Sequence, residues 1–300
     1  VVVVLLEDFE RSLRLPSPLT ELSDDRLGSV RVLMKRDDLI DPVLSGNKWR
    51  KLKYQLVDAR SRGATTLLTF GGAYSNHVRA VAAAGRRFGF ATIGMIRGEE
   101  QPFNDQLAAA VADGMRLHYL DRATYRAKTA PDVLDGLRQK FGDFYLVPEG
   151  GSAPLALRGC SEMIAEIQER FDLVVCPVGT GGTLAGLSAG LTGGQRALGF
   201  SVLRGAEYLD DEVAGIQVEA IGKRLDNWSI NHRFHFGGFA RRKSELDDFI
   251  AEFRDRHGIA LDWVYVAKAL YGLYACVEEG VVGSGATVVF VVTGPMTKQG

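Results

Sequence analysis

An excess of charge of either sign is missing from this sequence: 36 Lys and Arg stand against 37 Asp and Glu, for a formal net charge of −1. Without an excess of either sign there is no long-range field to draw in a nucleic acid or an anionic membrane surface, so a small-molecule partner is expected. Cysteine is scarce as well. Cys160, Cys176 and Cys276 are odd in number and show no CxxC spacing, which argues against a disulfide framework and against a zinc site. A reducing, cytoplasmic setting is expected. Long apolar runs are absent too. The opening Val1–Leu6 is too short to cross a bilayer, has no basic stretch ahead of it and is followed at once by Glu7, Asp8, Glu10 and Arg11. It reads as a buried or frayed segment. There is no low-complexity segment, short-period repeat or flexible linker, so a two-lobed chain is expected to cross between its lobes more than once.

What is present is apolar content, 46% of 300 residues, enough to build one large α/β unit or two lobes around a real core. Short β-branched or aromatic runs alternate with helical stretches, the pattern of a mostly parallel sheet covered by helices. The expected fold class is therefore α/β. Strands are predicted over 30–34, 65–70, 91–97, 116–120, 144–147, 173–177, 198–203 and 286–292. Helices are predicted over 48–62, 76–88, 103–114, 130–141, 155–171, 212–224 and 243–257, with another starting at Leu184. Within 48–62 the residues Trp49, Leu52, Leu56 and Ala59 are spaced by three and four, one face of a helix.

Three runs carry chemistry. In Ser45-Gly46-Asn47-Lys48-Trp49-Arg50-Lys51-Leu52 a lysine opens a predicted helix directly after a Gly-Asn turn. An amine that attacks an aldehyde must be held in place and partly deprotonated, and a loop–helix junction inside a cleft can do both. Arg50 and Lys51 read as solvated helix-start charges. In Val178-Gly179-Thr180-Gly181-Gly182-Thr183, between a strand and a helix, glycines admit a ligand close to the backbone. Successive N–H groups, the helix dipole and the Thr hydroxyls favour a phosphate there, although such a loop can also be no more than a tight turn. The third glycine of a G-x-G-x-x-G fingerprint falls on Leu184 and the lysine of a Walker-A loop is missing, which counts against a dinucleotide-dependent oxidoreductase. In Gly71-Gly72-Ala73-Tyr74-Ser75-Asn76-His77 the amides opening the next helix could hold a substrate carboxylate, with Ser75 and Asn76 adding a hydroxyl and an amide. Capping alone explains Ser75 equally well. His232 and His235 lie three apart without Asp, Glu or Cys at ligand spacing, so a surface or packing role and no metal site is expected. His118 and His257 sit in ordinary strand and helix-end contexts.

Taken together, Lys35-Arg36-Asp37-Asp38-Leu39, Ser45 to Leu52, Ser75-Asn76-His77, Pro148-Glu149-Gly150-Gly151-Ser152, Gly179–Thr183 and Leu261-Asp262-Trp263-Val264-Tyr265 with Lys268 are similar, in order and approximate spacing, to one known family. It is the 1-aminocyclopropane-1-carboxylate (ACC) deaminase and D-cysteine desulfhydrase family of pyridoxal 5′-phosphate (PLP) enzymes, and the resemblance covers nearly the whole chain. It implies the tryptophan-synthase-β type of fold: two three-layer lobes with mostly parallel sheets, a larger cofactor lobe (1–47 and 160–300) and a smaller mobile lobe (48–159), with PLP between them. It also implies a homodimer. Position by position it assigns Lys48 to the covalent link with the cofactor aldehyde and Asn76 to the cofactor's phenolic oxygen. Gly179, Thr180, Gly181, Gly182 and Thr183 are assigned to the phosphate and Thr293 to the neighbourhood of the pyridine nitrogen. Ser75, Asn76, His77, Tyr265 and Phe239 are assigned to the substrate, with Lys48, Ser75 and Tyr265 as the groups that position it or move protons.

The chain departs from the family pattern at several points. ACC deaminases typically carry Glu after the tyrosine where this chain has Val266, and Leu where it has Thr293. A threonine hydroxyl donating to a neutral pyridine nitrogen makes a weaker electron sink than a carboxylate beside a protonated one. β-Elimination from a small amino acid, D-cysteine desulfhydrase-like and releasing pyruvate and ammonia, is therefore expected ahead of ACC ring opening, with a related racemase or dehydratase also open. Phe239 stands where a tyrosine is usual, Ala153 where Asn is common, and Pro295 removes a backbone N–H. A PLP-binding protein with little turnover is the non-enzymatic alternative.

Overall fold

Along the chain run α1 (Val2–Ser12), β1 (Leu19–Leu22), β2 (Arg31–Lys35), α2 (Lys48–Ser61), β3 (Thr66–Gly71), α3 (Asn76–Phe88), β4 (Ala91–Arg97) and α4 (Asp105–Ala112). Then come β5 (Arg116–Leu120), α5 (Arg122–Arg126), α6 (Pro131–Phe141), β6 (Tyr145–Val147), α7 (Pro154–Ala165), β7 (Leu173–Val178), α8 (Gly182–Gly190) and β8 (Arg196–Ser201). The last stretch holds α9 (Leu209–Ile221), β9 (Trp228–Asn231), α10 (Ser244–His257), β10 (Ile259–Ala260), α11 (Val266–Glu278), β11 (Thr287–Val291) and β12 (Thr297–Lys298). The structure is a computed structural model that describes residues 2–44, 46–100, 102, 104–294 and 297–298, with side chains described between Leu6 and Gly294. The expectations at Ser45, Phe103 and Pro295 lie outside the described residues.

Cα packing divides the chain into a smaller unit, 1–12 with 52–151, and a larger one, 13–51 with 152–300. The first turn of α2, with Lys48, thus falls in the larger unit, where the expected boundary placed it in the smaller; 152–159 does likewise, and 1–12 goes the other way. One reason is a backbone-close contact: a Cβ on Gly159 of α7 would strike the carbonyl of Arg50, so α7 lies directly against the start of α2. α1 belongs to the smaller unit, where Phe9 meets Phe88 edge to face at 5.4 Å.

The smaller unit has a four-stranded parallel sheet in the order β5-β4-β3-β6. Leu68, Phe70, Ile93 and Met95, alternate residues of β3 and β4, pack one of its faces with Tyr125 and Leu137. The opposite alternation carries Thr69, whose hydroxyl reaches His77 of α3. Period two puts successive side chains on opposite faces, and helices cover both.

In the larger unit six strands run β1-β2-β11-β7-β8-β9, parallel except for β1 on β2. Val32, Met34, Val175, Val288 and Phe290 face α10 and α11. Their neighbours Leu33, Val174, Cys176, Val289 and Val291 face α7, α8 and α9. Each such fully buried Val or Leu contributes about 1.5–3 kcal/mol, so the two apolar faces supply the drive that orders the sheet. β10 and β12 form a separate antiparallel pair.

Several boundaries differ from expectation for local reasons. α7 stops at Ala165 instead of 171, and Glu166, its C-cap, turns its carboxylate onto Lys35 and Arg50. α9 ends at Ile221 instead of 224, where Gly222 takes a left-handed φ of 75° and closes the helix with its N–H on Val218 O. No element was expected over 258–285, where α11 stands.

Candidate active site

β11 lies between β2 and β7 and runs parallel to both, so the loops after Val178 and after Val291 leave one edge of the sheet side by side. α8 follows β7 onto one face, whereas α11 precedes β11 on the other. The chain moves outward from β7 to β8 and β9 and then returns to β11 on the other side of β7. Such a reversal of strand order is a topological switch point, the place where open α/β sheets take ligands at strand carboxyl ends.

The loop after β7 is built for an anion. Gly181 adopts φ 79° and opens α8, and a Cβ there would come 2.7 Å from Val213 of α9. Gly182 donates its N–H to Ser152 Oγ at 3.2 Å, and that hydroxyl also meets Thr180 Oγ1 at 2.6 Å and accepts from Lys51 Nζ at 3.1 Å. Amides at a helix N-terminus, two hydroxyls and a lysine one bond removed make an electropositive cradle. Expected as solvated charges, Arg50 and Lys51 are instead 2% and 4% exposed. Arg50 forks onto Asp37 at 2.7 and 2.9 Å and onto Glu166 at 2.8 and 2.9 Å, while burial holds the Lys51 ammonium below its ordinary pKa. The start of α2 at Lys48 was read correctly, but the partners of Arg50 and Lys51 lie too far along the chain for spacing to reveal them.

Lys48 sits at the first position of α2, and Asn47 ties it to the cradle. Lys48 Nζ donates to Asn47 Oδ1 at 2.7 Å, and Asn47 Nδ2 donates to Thr183 Oγ1 at 2.7 Å. Asn47 is itself held by its N–H on the carbonyl of Thr293, 3.4 Å away in the loop after β11. Gly46 is required beside it: φ is 66° and a Cβ would collide with that same carbonyl. Burial is the main cause that brings the Lys48 ammonium down from 10.5 to about 7, with the nearby Lys51 charge second; Cys160 and Asp262 oppose it. The amine is thus poised between protonated and neutral near pH 7, as an attacking amine must be. Burial also pushes the thiols of Cys160 and Cys176 up to about 11 and about 12, so neither is a thiolate nucleophile.

Tyr265 stands at the start of α11, and a Cβ on Gly179 would lie 3.2 Å from its ring. Phe239 meets the same ring at 6.0 Å and 66°. Asp262 places this turn by accepting the N–H groups of Val264, Tyr265 and Val266 at 2.9–3.2 Å. Val266 is fully buried and packs in the apolar cluster of α11. The larger unit therefore brings together Lys48, Gly179–Thr183, Thr293, Tyr265 and Phe239, and adds Asn47, Lys51, Ser152, Asp262 and Lys268, to which the sequence reading gave no role of their own. Asn47 and Lys51 flank Lys48, and the capping pattern of Asp262 ahead of an apolar run was the available signal for α11.

Ser75, Asn76 and His77 lie in the smaller unit, at the start of α3. Ser75 is the N-cap, accepting from Val78 N at 3.4 Å. Thr69 gives its one hydroxyl proton to Val147 O at 2.8 Å, so it accepts from His77 Nε2–H at 2.8 Å, which fixes the ring's tautomer. A Cβ on Gly71 would come 2.9 Å from Ser75 Oγ, so the glycine keeps the approach to the α3 N-terminus clear. Of the two histidines weighed for a metal, His232 pairs with Asp210 at 2.8 Å and His235 Nδ1 accepts from Gly237 N at 3.0 Å.

Comparison with known proteins agrees with this geometry. Residues 11–294 match the family of pyridoxal-phosphate dependent enzymes. The chain is 35% identical over 278 residues to a Thermotoga maritima protein provisionally named 1-aminocyclopropane-1-carboxylate deaminase, with 88% of each chain covered. To a D-cysteine desulfhydrase of Yersinia pestis it is 30% identical, covering 93% of this chain and 91% of that one. A crystal structure of an ACC deaminase homologue superposes with TM-score 0.81 at 30% identity, covering 98% and 94%. The chain belongs to the pyridoxal-phosphate dependent enzymes, with the α/β fold of the tryptophan-synthase-β type, and PLP is its cofactor. The residues present fit that group, offering a half-neutral amine for the aldehyde and, two hydrogen bonds away, a glycine cradle for the phosphate. No helix among the described residues is long and apolar enough to cross a membrane.

Proposed function

We propose that this enzyme eliminates the β-substituent of a small amino acid, in the manner of a D-cysteine desulfhydrase, releasing pyruvate and ammonia. The observation that carries the reading is the chain of two hydrogen bonds from Lys48 Nζ through Asn47 to Thr183, which ties a depressed-pKa amine to a phosphate cradle. Relatives named for D-cysteine desulfhydration and for ACC deamination support it, as does Val266, which leaves no carboxylate after Tyr265.

Bound PLP supplies an electron sink that stabilises negative charge at the substrate Cα. The chain's own residues hold the reactants and move the protons. Lys48 Nζ, oriented by Asn47 Oδ1, is the base assigned to the Cα proton. Gly179–Thr183 with Ser152 hold the phosphate, and we assign Thr293 to the pyridine nitrogen and Asn76 to the phenolic oxygen. The α3 N-terminus with Ser75, Asn76 and His77 is assigned the substrate carboxylate, its amides and dipole favouring an anion. Tyr265, backed by Phe239, is assigned to the departing β-group. On this reading the larger unit is the cofactor unit, and a cytoplasmic homodimer goes with it; light scattering of the purified chain tests the dimer.

Borohydride trapping of the PLP-loaded protein, followed by peptide mass spectrometry, is expected to label Lys48. Pyruvate release is then assayed from each enantiomer of cysteine and serine, and 2-oxobutyrate release from ACC. A label on another lysine refutes the site. Turnover of ACC without pyruvate from any cysteine or serine replaces elimination with ring opening, and normal cofactor spectra unchanged by every amino acid would leave a carrier.

A further inference from the structure

We infer that Lys268 is a positioning residue that sets where Phe239, and through it Tyr265, stands beside the phosphate loop, and thereby how tightly the amino-acid substrate is held; this rests on the elimination reading above. Lys268 is fully buried, and its ammonium donates to the carbonyls of His235 at 3.0 Å and Gly238 at 2.8 Å. The same two carbonyls also accept the N–H groups of Gly238 and Arg241, so the loop 235–241 is stitched to itself and to α11 at shared points.

This loop needs an external clamp. Phe236 at φ 52° and Ala240 at φ 49° have positive φ without being glycine, the two such cases among the described residues. Side chains with a Cβ disfavour that region, and the conformation persists only where surroundings over-determine it. α11 provides them with a stripe spaced by three, the separation that brings side chains onto one helix face. Tyr265 takes Phe239 at 6.0 Å, Lys268 takes the two carbonyls, and Tyr271 takes Phe236 edge to face at 5.0 Å. Stability alone does not call for a buried ammonium here, since an apolar side chain of the same length avoids its desolvation. What the ammonium does that an apolar chain cannot is hold the carbonyls of His235 and Gly238, in the turn that leads into Phe239.

The test compares wild type, Lys268→Met, Lys268→Gln, Phe239→Ala and the double variant Lys268→Met/Phe239→Ala, all PLP-loaded. Lys268→Met is expected to keep the absorbance of lysine-bound cofactor, raise KM about tenfold with kcat little changed, and be cut by trypsin at the exposed Arg241 or Arg242 several times faster. Lys268→Gln, which keeps N–H donors, recovers much of both properties. In the Phe239→Ala background the Lys268→Met effect on KM disappears, because coupled residues are not additive. Unchanged KM and cleavage in Lys268→Met overturn the inference, as does a full KM effect in the absence of the Phe239 ring. Should Lys268→Met not fold, Lys268→Gln decides, with wild-type KM and wild-type cleavage supporting the clamp and wild-type KM with rapid cleavage refuting it. A wild-type protein that binds PLP at Lys48 but turns over no amino acid defeats the elimination reading alone, and the cleavage rates still judge the clamp.

Discussion

The protonation of Lys48 gives the sharpest prediction. With the ordinary pKa of 10.5 a lysine is neutral in roughly one molecule of three thousand at pH 7, whereas at about 7 half the molecules carry a free amine. On the cofactor-free protein, borohydride trapping of PLP at Lys48, followed by mass spectrometry against pH, should rise with a midpoint near 7 and level off by about pH 8. Exposed lysines should show no such plateau. Lys51→Met removes the second cause of the depression while leaving burial, the first, so the midpoint should move up without reaching 10.5. The same imbalance links to stability. Between about 7 and 10.5 the unfolded chain holds this proton and the folded chain has released it, so stability rises with pH across that window. Below it the cost of burying the ammonium is present in full. A trapping midpoint near 10, or a downward shift in Lys51→Met, would refute the electrostatic argument.

Arg50→Met strands the fully buried Asp37 with Ser17 as its one remaining side-chain donor among the described residues and should cost about 3–5 kcal/mol in urea denaturation. Gly182→Ala puts a Cβ 2.6 Å from Ser152 Oγ, so Ser152 must leave Thr180 and Lys51; PLP affinity should fall about tenfold, with overpacking of about 1–3 kcal/mol in stability. Asn47→Asp places a carboxylate against Lys48 Nζ, and the trapping midpoint should shift upward. Asn47→Ala leaves the buried Thr183 hydroxyl without its donor and should destabilise by about 1–3 kcal/mol by the same denaturation assay.

Much of the fold was legible because its signals are local. The steps of three and four from Trp49 to Ala59, the Ser75 cap and the apolar run of β11 each report a few neighbouring residues, and all three elements stand where they were expected. α11 escaped notice because it is apolar nearly all round, so no polar face marked it out, and Asp262, which accepts the N–H groups of the turn leading into it, was read as part of a motif. The opening residues were read as a buried or frayed segment with no helix assigned; α1 stands there, and its Phe9 docks on Phe88, 79 residues later by number.

Periodicity, caps and the three short runs are properties of adjacent residues, and they sufficed for α/β elements, a candidate amine and a candidate anion loop. Burial is different, because it depends on residues that approach from far away. Arg50 is a solvated charge or a core ion-pair partner according to whether Glu166, 116 positions on, folds back to meet it. Lys268 gains its two carbonyls from a loop some thirty residues earlier, and Lys48 owes its lowered pKa first to burial. Desolvation and long-range pairing decide those energies, and neither has a signature in spacing along the chain.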